Sequence, residues 1–259
     1  MTLDVMLLFA AATLRITVPY ALAAMGSSLS ERGGVVCLAL EGIMLHGALA
    51  YVLGAWYLHD PWLGLLCAVL AGVATAALHA LVTVTFRADQ ITSGIGLNLL
   101  AAGLTRFVLV TVFHSSSNSP RVVGLPDLPI GALVHVPALG LSVTRLRWAG
   151  VLLCGAFAGL AGAWLASEQH SFTDGMTGGR GYIAIAAMIV GKWHPAGAAA
   201  ACVLFGATEA AQIALQGSGF PSPLLQALPY AVTMLALAGF IGRATPPRSL
   251  GTPFDPENA

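Results

Sequence analysis

Charge is scarce in this sequence. Only 8% of its 259 residues are charged, and eleven basic residues balance eleven acidic ones. Soluble domains carry about 25% charged residues, so too little polar surface exists here to coat a water-soluble globule. The balance of signs also removes any electrostatic reason to bind nucleic acid. Catalytic and metal signatures are missing too. The four cysteines, Cys37, Cys67, Cys154 and Cys202, lie in apolar runs with no Cys-x-x-Cys spacing, the pattern of small packing residues and not of a disulfide or metal site. No His-Glu-x-x-His, no Gly-x-Ser-x-Gly elbow and no phosphate-binding loop occurs. Hydrolase chemistry, a metal site and a resident cofactor are therefore not expected.

What is present is apolar length. A crossing needs about 20 mostly apolar residues. Candidate spans are Leu3 to Met25, Val35 to Trp56, Trp62 to Phe86, Ile91 to Phe113, Trp148 to Ala166, Pro195 to Leu215 and Leu224 to Ile241. Ile130 to Val143 is interrupted by Gly131, Pro137 and Gly140, and Tyr182 to Val190 is too short to span unaided. The expected fold is an all-α polytopic membrane bundle of about seven to eight spans, with a short re-entrant or broken helix near 181–191. One transmembrane domain covers 1–243, and 244–259 form a short, proline-bearing cytoplasmic tail. The first span resembles a signal peptide but carries Asp4 and Arg15, so it is read as a retained helix.

Basic residues in short loops place the C-terminus in the cytoplasm, with Arg145, Arg147 and Lys192 on the same side. If Ile130 to Val143 crosses, Arg32 and Arg87 are also inside and the N-terminus is outside; the positive-inside rule favours this arrangement over one without the crossing. Gly155, Gly159 and Ala163, spaced by four, suit close helix packing, and Gly94, Gly96 and Gly103 are assigned the same work. A weak echo relates Arg32-Gly33-Gly34 to Arg180-Gly181, on opposite faces in this topology; it is read as chance ahead of an inverted repeat.

Ionisable groups inside such spans cost about 2.5–3.5 kcal/mol. Glu31-Arg32-Gly33-Gly34 reads as a charged turn opening a helix, with Glu41 about two turns in and roughly 10 Å deep. A carboxylate there implies a helix facing protein or water, and a wet interior implies transport. Glu41 either lines that path or is pinned by a partner such as Arg15. Glu209 poses the same question, with Gln212 on its helix face. Asn98 is a polar amide inside the fourth candidate span; Phe205 and Tyr230 either stack on a flat solute or pack against helices or lipid.

These segments resemble the permease subunits of ATP-driven (ABC) importers in the ribose and branched-chain amino acid permease superfamily. The shorter permease of nucleoside and simple-sugar systems is the nearest type. The resemblance is carried by Ser30-Glu31-Arg32-Gly33-Gly34-Val35-Val36, Leu40-Glu41-Gly42-Ile43-Met44, Gly94-Ile95-Gly96-Leu97-Asn98, Met176-Thr177-Gly178-Gly179-Arg180-Gly181-Tyr182, Gly191-Lys192-Trp193-His194-Pro195, Leu228-Pro229-Tyr230 and Gly239-Phe240-Ile241-Gly242-Arg243. It implies a multi-pass subunit of the bacterial plasma (inner) membrane working with a second permease, an ATP-binding subunit and an extracytoplasmic solute-binding protein, in contact with the lipid bilayer. ATP would be bound by the partners. Nucleosides are the implied cargo, with pentoses second. Glu41, Asn98, Phe205, Glu209 and Gln212 are then candidate path residues, and Gly140, Arg145 and Arg147 remnants of an ATPase-coupling element. In the family a further crossing and a cytoplasmic loop precede a segment like Gly140 to Arg147; here Val136-Pro137 runs almost directly into Ala138. The shortened middle leaves a non-coupling structural subunit as the alternative.

Overall fold

The computed structural model describes residues 3–125, 143–216, 219–236, 238, 246–247 and 250–251. Among them the chain forms α-helices joined by short connections: α1 (Leu3–Arg32), α2 (Leu40–Leu58), α3 (Pro61–Ala80), α4 (Gln90–Phe113), α5 (Val143–Gln169), α6 (Arg180–Val190), α7 (Pro195–Ala214) and α8 (Ser222–Leu235). α3 continues through a π-helical turn, Leu81–Thr85. Five stretches, Asp4–Arg32, Pro61–Thr85, Gln90–Phe113, Thr144–Gln169 and Pro195–Ala214, are long and apolar enough to cross a membrane by length and composition. The all-helical bundle expected from the sequence is thus present, including the short helix near 181–191.

Helix ends follow local chemistry. Asp60 precedes Pro61 and accepts the Trp62 N–H at 2.7 Å, fixing the start of α3. Asp89 does the same for α4 through the Thr92 N–H at 2.7 Å, which holds its carboxyl below the usual carboxylate range. α2 and α4 stop at His59 and His114, both in the left-handed conformation.

The second span departs from expectation. α1 does not yield at Glu31 but runs through Arg32; Gly34, at φ 93°, then turns the chain, and residues 35–39 are not helical. α2 begins only at Leu40, so Glu41 lies in its first turn and not two turns deep. Irregular backbone at membrane depth is tolerable only when protein satisfies it. Here neighbouring side chains do so. The Val36 N–H donates to Gln90 Oε1 at 2.7 Å, and the Val36 carbonyl lies 3.1 Å from His79 Nε2. A carbonyl only accepts, so Nε2 carries the hydrogen.

Small residues set the packing of the centre. α2 lies against α3 and α5, and the backbones of Gly47 and Gly159 approach so closely that a β-carbon on Gly47 would sit 2.6 Å from the Gly159 oxygen. Gly155 and Gly159 also meet Gly72 of α3, as their spacing predicts. Gly94 packs on Leu38 and Ala39, whereas a β-carbon added at Gly96 or Gly103 would meet nothing among the described residues. The Arg-Gly echo also separates, since Arg32 ends one helix and Arg180 starts another.

The flanks of α5 define the two ends of the bundle. Beyond α4, the Ser119 N–H donates to the Phe172 carbonyl at 2.8 Å, and the Leu125 N–H donates to Ser167 Oγ at 2.7 Å. Residues 115–125 therefore lie beside the C-terminal end of α5. Val143 opens the other end, about 36 Å from Ser167 at 1.5 Å per residue. Residues 125 and 143 are consequently at opposite ends. The segment Ile130 to Val143, apart from Val143, lies outside the described residues, as do Gly140 and most of the tail at 244–259.

Candidate functional site

Two helices, α2 and α6, begin inside the bundle, and both starts rest on side chains from other elements. Asn98 of α4 serves α2: its Oδ1 accepts the Gly42 N–H at 2.8 Å, and its Nδ2 donates to the Leu38 carbonyl at 2.8 Å and to the Tyr182 hydroxyl at 2.9 Å. Glu41 of α2 serves α6: Oε1 accepts the Gly179 N–H at 2.7 Å and Oε2 the Gly181 N–H at 2.8 Å. Helix N-termini present unpaired N–H groups and partial positive charge, which a carboxylate satisfies on both counts. Gly181 is required for this contact, because a β-carbon there would lie 2.6 Å from the Glu41 nitrogen. Arg15 takes no part; it pairs with Glu168 at 3.3 Å, and of the two readings of Glu41 the pinned carboxylate is the one seen, with backbone N–H groups as its partners in place of Arg15.

Beside the α6 start is a cleft of about 300 Å³ between α1, α6, α7 and α8, lined chiefly by Tyr20, Arg180, Glu209, Gln212, Gln226 and Tyr230. Its charges cancel internally. Glu209 accepts the Tyr20 hydroxyl on one oxygen and Arg180 Nη2 on the other. The same guanidinium donates to the Met176 and Thr177 carbonyls at 3.2 and 3.3 Å. Gathering the pair into one hydrogen-bonded unit offsets part of the cost of taking both charges out of water. Tyr230 donates its hydroxyl to the Gly178 carbonyl at 3.2 Å while its ring stays 52% exposed. Gln212 and Gln226 have no hydrogen-bond partner among the described residues, so their carboxamides are available to a solute. A larger hollow, of about 410 Å³ between α1 and α7, is lined only by apolar side chains and offers no polar contact.

The candidate path residues thus fall into three places. Glu209 and Gln212 line the cleft; Glu41 and Asn98 hold helix starts; Phe205 is 1% exposed and packed in the core. Arg145 is exposed at the first turn of α5, whereas Arg147 is buried one half-turn on. Sequence reasoning did not single out Tyr20 or Gln226. Gln226 stands one turn before Tyr230 on α8, the spacing that could have marked it. Glu31 was also misplaced in a turn; it is 3% exposed in the last turn of α1 and accepts the Trp193 indole N–H at 2.7 Å.

Long apolar helices, helix starts held inside the bundle and a polar cleft between four of the helices define a multi-pass membrane protein. The family model for the permease component of branched-chain amino acid transport systems matches residues 9–135 and 134–237, and the chain belongs to that family. It is similar to the guanosine ABC transporter permease protein NupQ of Bacillus subtilis, at 32% identity over 94% of this chain and 95% of that one. It is similar also to the nucleoside ABC transporter permease protein NupC of Lactococcus lactis, at 34% identity over 91% and 93%. Another relative is the guanosine ABC transporter permease protein NupP of Bacillus subtilis, at 26% identity over 82% and 76%. No solved structure matches the chain. Membership of an ABC permease family implies work with an ATPase and other components of such a transporter.

The family match breaks at residues 134–135, next to Val136-Pro137-Ala138. The alignment with NupQ covers 94% of 259 residues, about 243, yet runs over 304 positions, so about 61 of those positions have no residue of this chain.

Proposed function

We propose that this chain is the membrane-spanning permease subunit of an ATP-driven nucleoside importer in a bacterial plasma membrane. Residues 1–243 form its permease domain and 244–259 a cytoplasmic tail. A second permease completes the path, an ATP-binding subunit supplies the energy, and an extracytoplasmic solute-binding protein delivers the cargo. The observation that carries this function is the cleft: polar groups gathered between four helices, internally neutralised, with two carboxamides that have no hydrogen-bond partner among the described residues and an exposed aromatic ring. Such a lining suits an uncharged, flat, hydrogen-bonding solute, and the names of NupQ and NupC give nucleosides as that solute. Tyr182 and Tyr230 are exposed on α6 and α8; polar groups there suit a water-filled path or a second subunit better than hydrocarbon.

The test is uptake of labelled guanosine by cells without uptake of their own, expressing this chain with its transporter components. Guanosine should accumulate, and a Walker-lysine variant of the ATPase should abolish accumulation. Uptake of ribose but not of any nucleoside would refute the assignment.

A second reading follows from the interrupted match. The family match breaks next to the segment assigned to ATPase coupling, whose remnants here are Gly140, Arg145 and Arg147, and the alignment with NupQ leaves about 61 positions without a residue of this chain. On that account the partner permease carries most of the coupling. ATP hydrolysis should then lose its response to substrate when the partner's coupling loop is disabled; a full response through this chain alone would exclude it.

A further inference from the structure

The cleft holds two kinds of polar group. Tyr20, Arg180 and Glu209 satisfy one another, and Tyr230 anchors its hydroxyl on the Gly178 carbonyl. Gln212 and Gln226, on different helices, line the same space with no partner among the described residues. Each carboxamide presents a donor beside an acceptor, the arrangement that pairs in bidentate fashion with the edge of a nucleobase. A free sugar has no flat heteroaromatic edge for these amides to pair with. The exposed Tyr230 ring adds a flat face for stacking, and Gln226 shares its helix face one turn away.

We infer that Gln212 and Gln226 read the base of a nucleoside stacked on Tyr230, and that they set which nucleosides pass most readily. This rests on the assignment of the chain as a nucleoside permease. Selection by net charge belongs to the same cleft. Among its described lining residues the only charges are Arg180 and Glu209, and they neutralise each other. A nucleoside monophosphate therefore finds no uncompensated cation and is excluded.

The experiment compares guanosine and uridine uptake at saturating solute in cells expressing the complete transporter. The same binding protein serves wild type and variants, so a change in the guanosine-to-uridine ratio arises in the permease. Gln212→Leu and Gln226→Leu should each change that ratio about tenfold, since a site built on hydrogen bonds discriminates strongly when one is removed. Gln212→Glu and Gln226→Glu, of nearly the same shape, should also change it, and they serve where a leucine variant reaches the membrane poorly. Tyr230→Ala should lower uptake of both nucleosides, with Tyr230→Phe retaining at least half. GMP should not inhibit the wild type. A ratio unchanged within twofold in the glutamine variants, or an equal fall for both nucleosides at normal membrane level, would overturn the inference. Wild-type uptake of ribose with neither nucleoside would instead overturn the assignment on which it rests.

Discussion

Replacing Glu41 tests whether the structure of the helix starts governs stability. Glu41→Ala removes both acceptors for the Gly179 and Gly181 N–H groups, which lie inside the bundle. Hydrogen bonds to charged groups contribute about 1.5–3 kcal/mol each, so the variant should lose about 3–5 kcal/mol after partial relaxation or water entry. For a domain of this size 1 kcal/mol moves the melting midpoint by about 2–4 °C, giving a fall of about 6–20 °C. Glu41→Gln keeps one oxygen but turns an NH2 group toward an N–H. It loses about one bond and should fall roughly half as far. The assay is thermal unfolding of the purified transporter in detergent, with uptake normalised to membrane level alongside. If Glu41→Ala melts within about 2 °C of wild type while normalised uptake disappears, Glu41 is a path group and the capping account is wrong.

Three further outcomes are expected. Gly181→Ala, whose β-carbon would lie 2.6 Å from the Glu41 nitrogen, should lower membrane abundance more than the same change at Gly96, which meets nothing among the described residues; abundance assays compare them. Single cysteines at Ser117 and Thr144 should label from opposite faces, because residues 115–125 lie beside the far end of the helix that Val143 begins; labelling of both from one face would contradict the bundle. Glu209→Gln leaves Arg180 uncompensated in the cleft, so uptake normalised to abundance should fall at least about tenfold, as loss of a partner from a buried charge pair commonly costs 3–5 kcal/mol, and GMP should become an inhibitor. Unchanged uptake would remove Glu209 from the path.

The spans were legible because apolar length in a chain with so little charge has few other uses. Glu209 and Gln212 were legible for a related reason: polar side chains three apart on one apolar helix mark a face. The start of α2 was not. Val35 to Ala39 is apolar and follows a glycine pair, so it reads as the opening of a helix, yet its backbone is held out of the helix by Gln90, His79 and Asn98. Those partners stand 43 to 60 residues away in sequence, beyond any local pattern. Tyr20 escaped notice for the same reason, since its partner Glu209 is 189 residues distant.

The borrowed helix starts also impose an order of events during synthesis. Gly42 waits for an acceptor made 56 residues later, and Gly179 for nothing, because Glu41 was made 138 residues earlier. At about 5–20 residues per second, α2 is without its Asn98 cap for about 3–11 s, and the Glu41 carboxylate is without its α6 partners for about 7–28 s. During that interval α2 carries a bare carboxylate and an unsatisfied amide that lipid will not accept. The nascent chain should therefore keep its second helix in the insertion machinery, or at the aqueous surface, until the fourth and sixth have emerged. Truncations ending before Asn98 should be cleared by proteolysis far faster than truncations ending just after it.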